Sequence, residues 1–167
     1  KTDGVVYVNV KSSRKALAII SSNYFDNPSS KLNLIGVTGT NGKTTIATLL
    51  FDLYTELEIK SGLISTVKIS YDNKNFQANQ TTPDSLSINR FLSEMVNSNV
   101  RYCFMEVSSH GIDQNRTDGL VFKGGIFTNL THDHLDYHES FENYRDTKKR
   151  FFDSLSNNSF ALTNNDD

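Results

Sequence analysis

Cysteine is nearly missing from this chain: Cys103 is the one thiol in 167 residues. It cannot close an internal disulfide, which suits a reducing compartment, and its place in the apolar run Tyr102–Met105 makes it a small buried hydrophobe. Charge of one sign is also lacking, since 17 basic and 19 acidic side chains leave a formal charge of −2. That balance gives no grip on the phosphates of a nucleic acid. No apolar run approaches the ~18 to 20 residues of a membrane span, and the N-terminus lacks the basic, apolar, small-residue order of a signal peptide. The expectation is a soluble, cytoplasmic protein that engages neither nucleic acid nor membrane. Polar stretches are too short to be disordered linkers, and no internal repeat is present.

What is present suffices for one globular domain with a core, at 37% hydrophobic residues. Val5–Val10 alternates weakly. Lys15–Phe25 has near-helical apolar spacing and ends in the turn cluster Asp26-Asn27-Pro28-Ser29-Ser30, a candidate boundary. Strands are expected at Leu32–Val37, Gly62–Val67, Tyr102–Val107, Gly125–Leu130 and Phe160–Thr163. Helices are expected at Thr44–Leu57, on the stripe Ile46, Leu49, Leu50, Leu53, Leu57, from Pro83-Asp84 to about Val96, and at Phe141–Leu155, with a polar hairpin or loop around Tyr71–Asn79. Apolar strands alternating with helices predict an α/β fold, a mostly parallel sheet with helices on both faces.

The segment Gly36-Val37-Thr38-Gly39-Thr40-Asn41-Gly42-Lys43-Thr44-Thr45 lies between a strand and a helix, where a phosphate-binding loop belongs. Gly39 and Gly42 allow close approach of a polyphosphate, helix-start N–H groups point at the anion, Lys43 neutralises it, and the Thr44 hydroxyl is placed for Mg²⁺. The common pattern puts glycine where Val37 stands, and Gly36 is one residue too early. Glu106 ends a strand at the sheet edge where ligands collect, and as a hard oxygen donor it can complete the coordination of that Mg²⁺. The four histidines fall between residues 110 and 138, three of them in Thr131-His132-Asp133-His134-Leu135-Asp136-Tyr137-His138. Zinc is one reading of that cluster, and a second hard metal with one imidazole among oxygens is the better one; His132 and His138 read as structural.

Gly-Thr-Asn-Gly-Lys-Thr-Thr resembles the nucleotide loop of the Mur ligases and of their relatives the folylpolyglutamate synthases. Glu106-Val-Ser-Ser-His-Gly, Phe127-Thr-Asn-Leu-Thr-His-Asp-His134-Leu-Asp-Tyr-His and Asn143-Tyr-Arg-Asp-Thr-Lys148 resemble the run in the MurE branch, the UDP-N-acetylmuramoyl-L-alanyl-D-glutamate ligases. Thr81-Thr82-Pro83-Asp84 and Gln114-Asn115-Arg116 are similar to that branch's substrate motifs, and the resemblance covers nearly the whole chain.

The resemblance implies ATP on Gly39, Thr40, Asn41, Gly42, Lys43, Thr44 and Thr45, with Mg²⁺ on Thr44 and Glu106. A second metal would involve His134 and Lys148, the latter carbamylated by CO₂ into an anion; Lys149 is the neighbouring alternative, and a solvated helix face is the plain reading of both lysines. Thr81, Thr82, Ser108, Gln114 and Arg116 would hold the UDP-N-acetylmuramoyl dipeptide, Arg116 through its fork; a helix cap before Pro83 is compatible with the threonines. Lys43, Glu106, His134 and Lys148 would serve catalysis of amide-bond formation through an acyl phosphate, in peptidoglycan precursor synthesis, by a monomer. The implied organisation is residues 1–30 as the tail of a uridine-nucleotide domain with its linker, and residues 31–167 as an ATP-binding central domain cut before its last strands. The amino acid added, diaminopimelate or lysine, is not legible in these residues. A nucleotide-binding module without ligase activity and a folylpolyglutamate synthase relative are the alternatives.

Overall fold

A computed structural model describes residues 2–133 and 135–165. In chain order the elements are α1 (Ser13–Tyr24), a 3₁₀ turn (Pro28–Ser30), β1 (Asn33–Thr38), α2 (Lys43–Glu56), β2 (Ser61–Ile64), β3 (Lys68–Tyr71), β4 (Lys74–Gln77), α3 (Ser85–Asn97), β5 (Tyr102–Glu106), α4 (Ser109–Asp113), β6 (Gly124–Phe127), α5 (Leu135–His138), α6 (Phe141–Asp153) and β7 (Phe160–Thr163). The strands form one sheet in the order β4-β3-β2-β5-β1-β6-β7. Pairings among β2, β5, β1, β6 and β7 are parallel, and β3 and β4 add an antiparallel hairpin at one edge. The sheet is therefore mostly parallel, as its continuous apolar runs require when both faces are covered.

Alternation along the central strands divides two cores. Leu34, Cys103 and Met105 face α3 and Phe151 of α6, while Ile35, Val37, Leu63 and Phe104 face α2. Gly36, on the first of these faces, has no room for a side chain, because a Cβ there would lie 2.5 Å from the Phe151 ring. It is a packing glycine inside β1, which explains why it stands outside the spacing of the phosphate loop.

Several expectations shift. On α2 only Ala47 is fully buried, the half-buried residues packed on the sheet are Ile46, Leu50, Phe51 and Tyr54, and Leu49, Leu53 and Leu57 are exposed. The expected stripe thus meets the buried face only at Ile46 and Leu50. The loop around Tyr71–Asn79 is a hairpin whose turn residues Asp72 and Asn73 have φ of 48° and 60°, a left-handed pair that matches strand twist. Helix α3 is capped by Asp84, whose carboxylate accepts from the Ser87 N–H at 2.9 Å. Pro83 therefore precedes the cap, and the threonines before it do not serve as one. Residues 13–30 pack against the rest of the fold: the Ser22 hydroxyl donates to the Gly119 carbonyl, and the Val121 N–H donates to Ser29 Oγ at 3.0 Å. The Val5–Val10 run lies outside helices and strands and is exposed.

Candidate functional site

The loop between β1 and α2 is shaped by its neighbour as well as by its glycines. Gly39 has φ of +146°, and a Cβ there would sit 2.0 Å from Thr128 Oγ1. Either fact alone demands glycine. The segment after β6 clasps the loop: the Thr40 N–H donates to the Asn129 carbonyl at 2.8 Å, the Asn41 N–H to Asn129 Oδ1 at 2.9 Å, and Thr128 Oγ1 to the Asn41 carbonyl at 2.6 Å. The amides of Thr40 and Asn41 are thus already engaged by protein. An anion would meet the helix-start amides beyond them, at Lys43, Thr44 and Thr45, after Gly42 caps α2 in the left-handed conformation. Thr44 is half-buried and Thr45 exposed on that first turn.

Two amines converge on this loop. Lys43 Nζ donates to the carbonyls of Gly39 and Thr40 at 3.0 and 2.7 Å. Lys148 Nζ, on α6, donates to the same Gly39 carbonyl at 2.8 Å. Lys148 is 3% exposed, so it is no solvated helix residue. Lys149 is, being exposed and bonded to Asp153 at 2.6 Å. Burial, with the Lys43 ammonium beside it, pushes the Lys148 amine down to about 7 against the pull of Asp133. Burial also lowers Lys43, opposed by Glu106 and Asp133.

Glu106 is fully buried at the end of β5. Its carboxylate accepts from the Thr66 N–H at 2.7 Å and the Thr66 hydroxyl at 3.1 Å, both neutral donors. The Lys43 ammonium also feels this carboxylate, and a buried carboxylate whose described hydrogen-bond donors are neutral suits a further cation such as a hard metal. Among the described residues no group of three or more His, Cys, Asp or Glu side chains gathers as a metal cluster. His134 lies outside the described residues. His138 is buried against Tyr144 and His132 stacks on Phe141.

The residues assigned to the dipeptide gather at the same sheet edge. Thr82 is buried, and its hydroxyl donates to the Glu106 carbonyl at 2.9 Å while accepting from the Ser108 N–H and hydroxyl at 2.9 and 3.0 Å. One donor and two acceptor positions are thereby filled, so Thr82 ties β5 to the segment before α3. Ser108 caps α4 through the Gly111 N–H at 3.1 Å. Thr81 Oγ1 lies 3.1 Å from the Thr66 hydroxyl oxygen. Arg116 donates to Gln114 Oε1 at 2.6 and 3.2 Å, to Gln80 Oε1 at 2.5 Å and to the Thr82 carbonyl at 2.6 Å. Every one of these acceptors is neutral, so its charge is held in place and left for an anion.

A cavity of about 300 Å³ joins the two groups, lined among others by Lys43, Lys148, Thr81, Thr82, Ser108 and Arg116. Gln80 and Arg116 also line a larger groove of about 830 Å³ that runs past β4 and α3 to Arg14 on α1. Sequence reasoning missed Thr66, Gln80, Asn129 and Tyr144. Asn129 and Tyr144 lie inside the motifs that carry the family resemblance, and Gln80 directly precedes one. Thr66 carries no local signal, since only the pairing of β2 with β5 brings it to Glu106.

Residues 37–167 match the Mur ligase middle domain family. The chain is 56% identical over 160 residues to the UDP-N-acetylmuramoyl-L-alanyl-D-glutamate–2,6-diaminopimelate ligase of Cytophaga hutchinsonii, covering 96% of this chain and 33% of that protein. With the enzyme of the same name from Bacteroides fragilis it shares 53% over 165 residues, 99% of this chain and 34% of the other. The solved structure of a ligase of that name superposes with a TM-score of 0.82 at 29% identity, over all of this chain and 34% of that one. The chain thus spans about a third of the length of the curated relatives it matches.

Proposed function

The chain belongs to the Mur ligase family, and from that premise we propose that it is the ATP-binding part of a ligase that joins an amino acid to UDP-N-acetylmuramoyl-L-alanyl-D-glutamate. The observation that carries the proposal is the shared cavity, in which the phosphate-loop lysine and Lys148 meet Thr81, Ser108 and Arg116. The amino acid is diaminopimelate, a choice supported by the names of relatives at 53 and 56% identity. Residues 1–30 are read as the tail of a uridine-nucleotide domain, and residues 31–167 as the central domain of a cytoplasmic monomer.

In this reading the polyphosphate of ATP lies against the helix-start amides of α2 and displaces the Lys43 ammonium from its loop carbonyls. Thr44 and Glu106 would hold Mg²⁺, which when bound neutralises phosphate charge; His134 would add to a second metal position. Arg116 orients a substrate carboxylate. A carboxylate oxygen of the substrate bonds to the γ phosphorus as the bond to ADP breaks. The amine of diaminopimelate then attacks the acyl carbon, phosphate departs and the nitrogen loses its proton, leaving an amide. Lys43 stabilises the charge passing between these oxygens, and orientation supplies much of the acceleration. Lys148, as a carbamate formed when its neutral amine adds to CO₂ and sheds a proton, would become an anion beside Lys43.

The test is phosphate release by a protein carrying this chain with the flanking regions its relatives possess. Release that requires both the muramoyl dipeptide and diaminopimelate supports the proposal. Release with a pterin substrate and glutamate instead would replace it with the folylpolyglutamate reading.

A further inference from the structure

Tyr144 is fully buried on α6, one turn before Lys148. Its hydroxyl lies 3.1 Å from Thr40 Oγ1 in the phosphate loop. Either oxygen can be the donor of that bond. Thr40 Oγ1 also accepts from the Thr131 N–H at 2.9 Å and lies 3.3 Å from the Thr131 carbonyl. The tyrosine hydroxyl, Thr40 and Thr131 therefore form one chain of hydrogen bonds. The ring of the same tyrosine lies 4.6 Å beneath Lys148 Nζ, a cation–π placement, and Lys148 in turn donates to Gly39. One side chain therefore meets both Thr40 of the loop and the α6 lysine that bonds to Gly39. A phenylalanine would fill the core equally well, and burying a hydroxyl is unfavourable unless it is bonded.

We infer that Tyr144 is a positioning residue of the phosphate loop, whose hydroxyl fixes Thr40 and, through Thr40, the Thr128–Thr131 segment that clasps Asn41. The inference rests on the proposed nucleotide reading only for its consequence in binding. Its structural half is independent of any ligand.

The variant is Tyr144→Phe, which keeps the ring under Lys148 and removes the bond to Thr40. Three quantities are read on this chain: melting temperature, amide hydrogen exchange without ligand, and affinity for MgATP by calorimetry. The expected result is exchange faster by about five- to tenfold at residues 39–42 and 128–131, with the Thr131 amide foremost. Amides of β2 and β5 should be unmoved, and MgATP affinity should fall by a similar factor. Unchanged exchange in the loop overturns the inference. So does faster exchange in a variant that binds MgATP as the parent does, because the hydroxyl would then stiffen the loop without positioning it for phosphate. If the parent itself fails to bind, the nucleotide reading of this chain fails, and the exchange comparison alone decides for or against Tyr144.

Discussion

The Lys148 ammonium shares the Gly39 carbonyl with Lys43 inside the protein, an arrangement that favours an uncharged amine. An ordinary lysine titrates at 10.5 and this one at about 7. Between those values the unfolded chain holds more protons than the folded one, so stability rises with pH across that window and the penalty is complete below it. Lys148→Met removes the titration. In CO₂-free buffer the variant should gain on the parent by on the order of 1–2 kcal/mol at pH 7, with the advantage shrinking toward pH 9; urea denaturation at several pH values reads it, and a difference independent of pH would refute the burial argument. In a complete enzyme Lys148→Ala should lower turnover more than it lowers nucleotide affinity. Equal turnover in that variant removes the carbamate assignment. Sequence could identify Lys148 only by resemblance, because a run of Lys148-Lys149-Arg150 looks solvated until the helix phase is known. Thr82 shows the opposite: the motif marks it as important, and the structure shows its hydroxyl saturated by Glu106 and Ser108.

Elements were legible where local chemistry decides them and misread where packing does. Strand, glycine turn and helix around Lys43 follow from local residues, and β7 matches its expected span, Phe160–Thr163. The short helices α4 and α5 carried no usable periodicity at five and four residues. On α2 the expected stripe was right for Ile46 and Leu50 and wrong for Leu49, Leu53 and Leu57, since the helix docks through those two with Ala47, Phe51 and Tyr54. Leu53→Lys should accordingly leave stability within about 0.5 kcal/mol, whereas Ala47→Leu, with no free space at a fully buried site, should cost about 1–3 kcal/mol. Comparable losses from both in urea denaturation would contradict the placement of the helix. Asp84→Ala removes the cap of α3 and should cost about 1 kcal/mol, while Thr81→Ala should leave that helix intact; circular dichroism melts of the two variants compare them.

At the scale of the whole molecule the site is a product of strand order. The phosphate loop follows β1, Glu106 ends β5, Thr128–Thr131 follow β6 and Thr66 follows β2, so the parallel order β2-β5-β1-β6 delivers all four to one sheet edge, as open α/β sheets do. No local pattern encodes that order, which depends on pairings far apart in the chain. The edge is held together by hydrogen bonds between protein groups, including those of Asn129 with the loop. A loop so held should bind MgATP in this chain alone, and the amines should decide how well. Lys43 is held by two carbonyls that it can leave for phosphate oxygens, a charge-assisted exchange worth about 1.5–3 kcal/mol per bond. Its loss in Lys43→Ala should weaken binding by at least about a hundredfold, below calorimetric detection. Binding by the parent that the substitution removes would mean the edge is complete as a phosphate site and that flanking regions bring mainly the other substrates. Equal binding by parent and variant would place the nucleotide elsewhere on the protein, and no binding by either would mean that the edge, though folded, lacks donors that the longer relatives supply.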